Sequence, residues 1–159
     1  MSDDAPSSRV VVFRIGADHY AVDVLGVERV ARYQTPRALP RMPDWIEGVI
    51  ELEGRLIPVV DLRRRLAHTT LELGAQARLL IITMDQDWCA MIVDQVLDVR
   101  AYTPGELAPP PALVRSLDGS LVRGTLRRGD ALVLLLDTAR IFSADEQPAL
   151  LVAQVAAIA

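Results

Sequence analysis

The side chains able to carry chemistry are few and scattered. The two histidines are His19 and His68, and the one thiol is Cys89. A structural zinc site takes about four thiolate or imidazole ligands at short spacings. Two histidines and one cysteine with dispersed carboxylates make no such set, so neither a metal nor a cofactor is expected. Cys89 lies between Trp88 and Ala90 in an apolar run. That is the setting of a small buried hydrophobe, whereas a nucleophile needs neighbours that hold its thiolate. Asp61 and Asp137 could be imagined as an acid–base pair, but each ends a strand-like run just before a helix-like segment, the place of an N-cap. Arg63, Arg64 and Arg65 could grip a phosphate; they read more simply as a solvated helix face. No GxSxG, HExxH or glycine-rich phosphate loop occurs. No catalytic residues are assigned, and the chain is not expected to be an enzyme.

The bulk properties narrow the function further. The 159 residues suit one compact unit or two very small ones sharing a core. A net charge of −4, from 17 basic and 21 acidic residues, gives no overall cationic excess to displace counterions from nucleic acid. Aromatic residues at 4% leave few platforms for stacking bases. A small β-barrel that binds nucleic acid is therefore the weaker alternative. A lone cysteine suits a reducing compartment. Residues 1–8 are polar and acidic, read as a disordered leader rather than a secretory signal. No apolar run approaches the roughly 18 residues needed to cross a bilayer. A cytoplasmic protein without membrane insertion is expected.

The elements that must position any site are short and β-rich. Residues 10–15 end at Gly16, and residues 19–24 return after Gly16, Ala17 and Asp18, which reads as a hairpin. Val27 and Val30 lie in a stretch that reads as a helical turn or as another strand. Three prolines make residues 35–43 a loop. Asp44 then reads as the cap of a helical turn at Trp45, Ile46 and Glu47, stopped by Gly48. Residues 49–53 and 56–62 pair around Gly54 and Arg55, and a short helix follows from Arg63. A further hairpin joins residues 78–84 to 88–93, with Val96, Val99 and Tyr102 continuing the sheet. The last hairpin joins 121–126 to 131–136, with residues 137–142 helical and a C-terminal helix over 144–159. Its Leu151, Val155 and Ile158 recur at helical spacing. Many short strands with close turns indicate barrels or a sandwich. The chain also repeats weakly. Gly48 matches Gly124 and Asp61 matches Asp137 at an offset of 76, while Arg9 matches Arg78, Val27 matches Val96 and Val30 matches Val99 at 69. Two related β-subdomains, about 9–70 and 71–143, are expected.

Residues 40–66 carry the most specific pattern. They contain Pro43, Asp44, Trp45, Ile46, Glu47, Gly48 and Val49, then Gly54, then Ile57, Pro58, Val59, Val60, Asp61 and Leu62. Upstream stand Tyr20, Ala21, Val22 and Asp23 with Val27, Glu28, Arg29 and Val30; downstream stands Gly124, Thr125 and Leu126 with a strand closing at Asp137. This pattern resembles the CheW-like domain over about residues 9–143. The resemblance implies a mostly β fold of two small SH3-like five-stranded barrels, with short helices and a C-terminal helix. It implies a non-catalytic adaptor, without cofactor, that binds the regulatory domain of a chemotaxis-type histidine kinase and the cytoplasmic tip of chemoreceptors. The family's receptor contact falls in an apolar groove between the barrels. That points to Val27 and Val30, with Val96 and Val99 added by the repeat; the plainer reading of any single one of them is core. Gly48 of the signature turn is a further candidate. Two positions depart from the family, where Glu53 stands for the usual arginine and Arg29 for the usual acid. Either they have exchanged charge and still pair, which makes them candidates for choosing a dedicated partner, as in an accessory pathway of pilus motility or biofilm signalling, or they drifted independently at two exposed positions.

Overall fold

The computed structural model describes residues 8–66, 72–84, 87–110, 121–142 and 146. Ten strands run β1 (Ser8–Ile15), β2 (Asp18–Asp23), β3 (Val27–Arg32), β4 (Ile46–Leu52), β5 (Arg55–Asp61), β6 (Arg78–Met84), β7 (Asp87–Val93), β8 (Gln95–Tyr102), β9 (Val122–Arg128) and β10 (Ala131–Leu136). One α-helical turn, α1 (Leu62–Arg65), follows β5. The strands form two five-stranded sheets, ordered β8-β1-β2-β10-β9 and β3-β6-β7-β5-β4.

Each sheet closes on itself. Past the end of β3, Arg37 exchanges both backbone hydrogen bonds with Val49 of β4, at 2.9 and 3.0 Å. This joins the two edges of the second sheet. Past β8, Ala108 does the same with Thr125 of β9, at 2.9 and 2.8 Å, and closes the first sheet. Closure removes the unpaired edges through which a sheet would otherwise aggregate. The first barrel therefore contains β1, β2, β8, β9 and β10, and the second contains β3 to β7.

The expected boundary at residue 70 is not a boundary between the sheets. Each barrel takes two strands from one half of the chain and three from the other. The internal repeat nonetheless holds strand for strand. Advancing every strand of β3-β6-β7-β5-β4 to its counterpart in the other half gives β8-β1-β2-β10-β9. Even the register carries over. The parallel pair of Val59 with Ala90 corresponds to Leu135 with Ala21, and Val30 with Leu80 corresponds to Val99 with Val11. Bulges fall between Val27 and Arg29 in one barrel and between Val12 and Phe13 in the other, at matching points of the ladder.

The cores follow the same symmetry. Val10, Val12, Ala21, Leu126, Val133 and Leu135 fill the first barrel. Their counterparts Leu79, Ile81, Ala90, Ile50, Ile57 and Val59 fill the second. A third cluster draws on both sheets, with Phe13, Val22, Leu62, Leu80, Met91, Leu136 and Phe142 among its members, and joins the barrels. Burying each of the Val, Leu, Ile, Phe and Met side chains contributes about 1.5–3 kcal/mol. Alternation along a strand thus sends one set of residues into a barrel and the next into the shared layer.

Several local expectations change. Ile46 and Glu47 open strand β4 instead of forming a helical turn, because the bulge at Gly48 lets β4 begin early. The stretch with Val27 and Val30 is strand, β3. Residues 137–142 contain only a 3₁₀ turn, Thr138–Arg140. Ser8, assigned to the leader, begins β1; the rest of the leader and the C-terminal helix, apart from Glu146, lie outside the described residues. Asp61 and Asp137 both cap as expected, accepting from the Arg63 and Ala139 amides at 3.0 Å. Pro58 lies in a strand with neighbours on both sides. Val49 opposite it directs its own amide and carbonyl to Arg37, and pairing with β7 starts only at Val59, so no ladder bond needs the missing N–H.

Gly48 is the most constrained of these positions. Its φ is +149°, and a Cβ there would stand 2.3 Å from the Arg37 carbonyl oxygen. A Cβ on its repeat partner Gly124 would meet the Ala108 carbonyl at 2.6 Å. Each glycine lets the closing bridge approach. Gly48→Ala is expected to cost about 2 kcal/mol or more in urea unfolding, whereas Gly74→Ala, with nothing within 4 Å of the added Cβ, should change stability by less than about 0.5 kcal/mol.

Candidate partner-binding surface

The candidate residues sit on the two pseudo-equivalent strands β3 and β8. In β3, Val30 stands opposite Leu80 and Arg29 opposite Ile81. Leu80 belongs to the shared layer and Ile81 to the second barrel's interior. The valine therefore faces the seam between the barrels, while the arginine next to it faces the mouth of the second barrel. Val99, opposite Val11, repeats the seam placement on β8. Val27 and Val96 are half-buried against the shared layer, so their first contribution is packing. Val30 and Val99 are 42% and 50% exposed, unusual for valine in a strand. Leu25, in the 3₁₀ turn Val24–Gly26 just before β3, is 91% exposed. Sequence reasoning passed over Leu25; its signal was an apolar residue in a turn between Asp23 and Gly26.

Arg29 and Glu53 do pair, with Nη2 2.8 Å from Oε2. Glu53 reaches this position from the two-residue turn between β4 and β5, where Glu53 and Gly54 have φ of +52° and +75°. Two left-handed residues match the twist of the flanking strands. Trp88 of β7 lies beneath, with the Arg55 guanidinium 3.8 Å and the Arg29 guanidinium 5.8 Å from its ring centroid. Arg55 and Trp88 thus complete this corner, although neither was singled out from the sequence. The first barrel has an analogous clasp. Arg100, which stands opposite the interior residue Val10, donates to Glu106 at 2.8 Å and to the Arg127 carbonyl in the β9–β10 hairpin.

The candidate residues consequently form two groups. Val27, Val30, Val96 and Val99 line the seam, whereas Arg29 and Glu53 mark one barrel mouth. Gly48 belongs to neither, being buried beneath the closing bridge at Arg37.

Arg63 and Arg65 depart from the expected solvated face, whereas Arg64 keeps to it. Arg63 is 8% exposed and ion-paired to Asp61 at 2.7 Å. Arg64 meets Glu47 at 3.5 Å, and Arg65 meets Glu146 at 2.5 Å beside the rings of Trp45 and Phe142. All three hold carboxylates of the chain itself. Among the described residues, no three His, Cys, Asp or Glu side chains group as a metal site. Burial raises the Cys89 thiol pKa well above its ordinary value. Burial, with a smaller contribution from Asp18, pushes Tyr20 up to about 12. Neither group is prepared to ionise near neutral pH.

A model of the CheW-like domain matches residues 9–146. The chain belongs to the CheW-like domain family. Chemotaxis protein CheW of Treponema pallidum is 27% identical over 142 residues, covering 87% of this chain and 84% of that protein. Chemotaxis protein CheW of Bacillus subtilis is 28% identical over 129 residues, covering 81% and 83%. Protein FrzA of Myxococcus xanthus is 30% identical over 106 residues, covering 67% and 66%. The crystal structure of scaffolding protein TtCheW from Thermoanaerobacter tengcongensis superposes with a TM-score of 0.80 at 25% identity, covering 92% of this chain and 95% of that one. The mostly β fold of two SH3-like five-stranded subdomains is thus that of a CheW scaffold.

Two outcomes follow for this surface. In a double-mutant cycle on Arg29→Glu and Glu53→Arg, each single change should destabilise and the double should recover, with a coupling of about 0.2–1 kcal/mol by denaturant titration. Cys89, 1% exposed, should resist alkylation in the native protein at pH 8 and react promptly in urea, as followed by mass spectrometry.

Proposed function

We propose that this protein is a non-catalytic scaffold that couples chemoreceptors to a chemotaxis-type histidine kinase. The observation that carries the reading is the family match over residues 9–146, joined to the fold of a scaffolding CheW over nearly the whole of both chains. The relatives bear the names of chemotaxis proteins, and an adaptor is the role in keeping with them. Supporting chemistry is simple. The described residues hold no grouped metal ligands, and Cys89 is buried with a raised pKa. Apolar residues stand exposed at the seam, where a partner helix or strand would cover them. No helix of the described residues is long and apolar enough to cross a membrane. A cytoplasmic place beneath membrane receptors suits both facts, with the receptor tip at the seam valines and the kinase regulatory domain on a barrel.

The charge order at Arg29 and Glu53 supports service to a dedicated partner, as in pilus motility or biofilm signalling. A partner built for the opposite order would meet like charges, which can cost several kcal/mol across an interface. Nucleic acid is disfavoured by the net charge of −4.

The test is affinity capture from cells of the source organism with this protein as bait. A histidine kinase and a receptor should be recovered; recovery of neither would sink the reading. In the same assay, Val30→Asp and Val99→Asp should each reduce receptor capture by about tenfold or more. Stability should fall by no more than about 1 kcal/mol, because both side chains are about half exposed and the change mainly costs strand propensity.

A further inference from the structure

The chain crosses between the barrels at two places. β2 leads to β3 through Val24–Gly26, and β7 leads to β8 through Asp94. The repeat makes these crossovers equivalent, yet they are built differently.

At the second crossover, Asp94 accepts the Gly16 amide on Oδ2 at 2.7 Å and donates its own N–H to the Arg14 carbonyl at 3.1 Å. The two bonds tie it to the β1–β2 turn and to the end of β1, in the first barrel. Its Oδ1 lies 3.6 Å from Nη1 of Arg63, which projects from α1, just after β5 of the second barrel. Arg63 is in turn held by Asp61, with Nε 2.9 Å from Oδ1 and Nη2 2.7 Å from Oδ2. A continuous polar chain therefore runs from Asp61 through Arg63 and Asp94 to Gly16, from one barrel to the other. The side chains of Asp61, Arg63 and Asp94 are only 3%, 8% and 18% exposed.

At the first crossover the repeat places Ala139 where Arg63 stands and Leu25 where Asp94 stands. Asp137 caps Ala139 and meets Arg140 at the surface, 3.7 Å away. Gly26 rests against the Thr138 side chain there.

We infer that Arg63 is a positioning residue that fixes the orientation of the two barrels. The shared apolar layer holds the barrels together, but apolar burial is non-directional and sets no angle by itself. Arg63 is aimed by its two-point hydrogen bonding to Asp61, and Asp94 by its bonds to Gly16 and Arg14, so the ion pair between them is oriented from both sides in a little-exposed setting. A cleft of about 210 Å³ opens beside Arg14, Gly16, Arg63 and Asp94, so close packing does not fix the angle at this point. The orientation matters because β3 and β8 lie on different barrels. The spacing of Val30 from Val99, and hence the shape of the surface in the functional proposal above, depends on it. The orientation itself is independent of that proposal.

The test is a distance distribution between spin labels on introduced cysteines at Glu28 and Asp98, exposed positions of β3 and β8, in the full chain with buried Cys89 left unlabelled. The unaltered clamp should give one narrow distance. Arg63→Met should broaden or shift it, and Arg63→Lys should lie between. Arg64→Met, at an exposed neighbour, should leave it unchanged. A folded Arg63→Met protein with the narrow distance intact overturns the inference, even where its melting temperature falls. Should Arg63→Met fail to fold, Asp94→Asn keeps an acceptor for Gly16 while removing the charge facing Arg63. A broadened distance there supports the clamp, and an unchanged one overturns it.

Discussion

Each barrel is completed by a parallel pairing between strands from opposite halves of the chain, β2 with β10 and β5 with β7. The rest of the architecture depends on this exchange. It brings the halves into one layer of side chains that neither possesses alone, and it places β3 and β8 on different barrels although the sequence repeats them. The repeat, in turn, is why four local features come in pairs. The two glycines beneath a carbonyl, the two isolated bridges, the two bulges of each barrel and the caps Asp61 and Asp137 are the same devices used twice.

Symmetry makes the departures from it informative. One barrel mouth is clasped by Arg29 and Glu53 over Trp88, the other by Arg100 with Glu106 and a backbone carbonyl. One crossover carries buried charge and the other a threonine against a glycine. A scaffold that presents two related barrels needs such differences if unlike partners are to tell the barrels apart, because specificity is a difference between competing affinities. The fold supplies equivalent positions, and the side chains make them unequal.

The sequence was most legible where local chemistry and fold agree. Turn residues and β-branched runs located most strands, and the two aspartate caps were apparent from their place after apolar runs. The repeat was readable from the spacing of Gly48 and Asp61 against Gly124 and Asp137. Strand exchange was not, because matching residues at a fixed offset says which strands are alike and nothing about which of them pair. Periodicity likewise missed the bulge that starts β4 at Ile46, since a bulge breaks alternation for one residue. The valines were identified, but their division between seam and core needs the register with Leu80 and Val11. Arg63 was misjudged because three consecutive arginines look solvated; it is brought inside by Asp61, which the sequence offered only as a cap, and by Asp94, 31 positions away.

The exchange also sets an order of assembly. The strands of the second barrel form one uninterrupted stretch from Val27 to Val93, whereas those of the first lie at both ends of the described chain. As the polypeptide leaves the ribosome, every strand of the second barrel is present once Val93 has emerged. The β1–β2 hairpin, already made, still lacks β8 on one side and β10 on the other. Its apolar face, with Val10, Val12 and Ala21 all destined for the interior, has to wait until Val133 and Leu135 of β10 have been synthesised. Long-range pairings of this kind form late and leave strand edges open in the interval. The N-terminal hairpin is therefore the segment most in need of protection while the protein is being made.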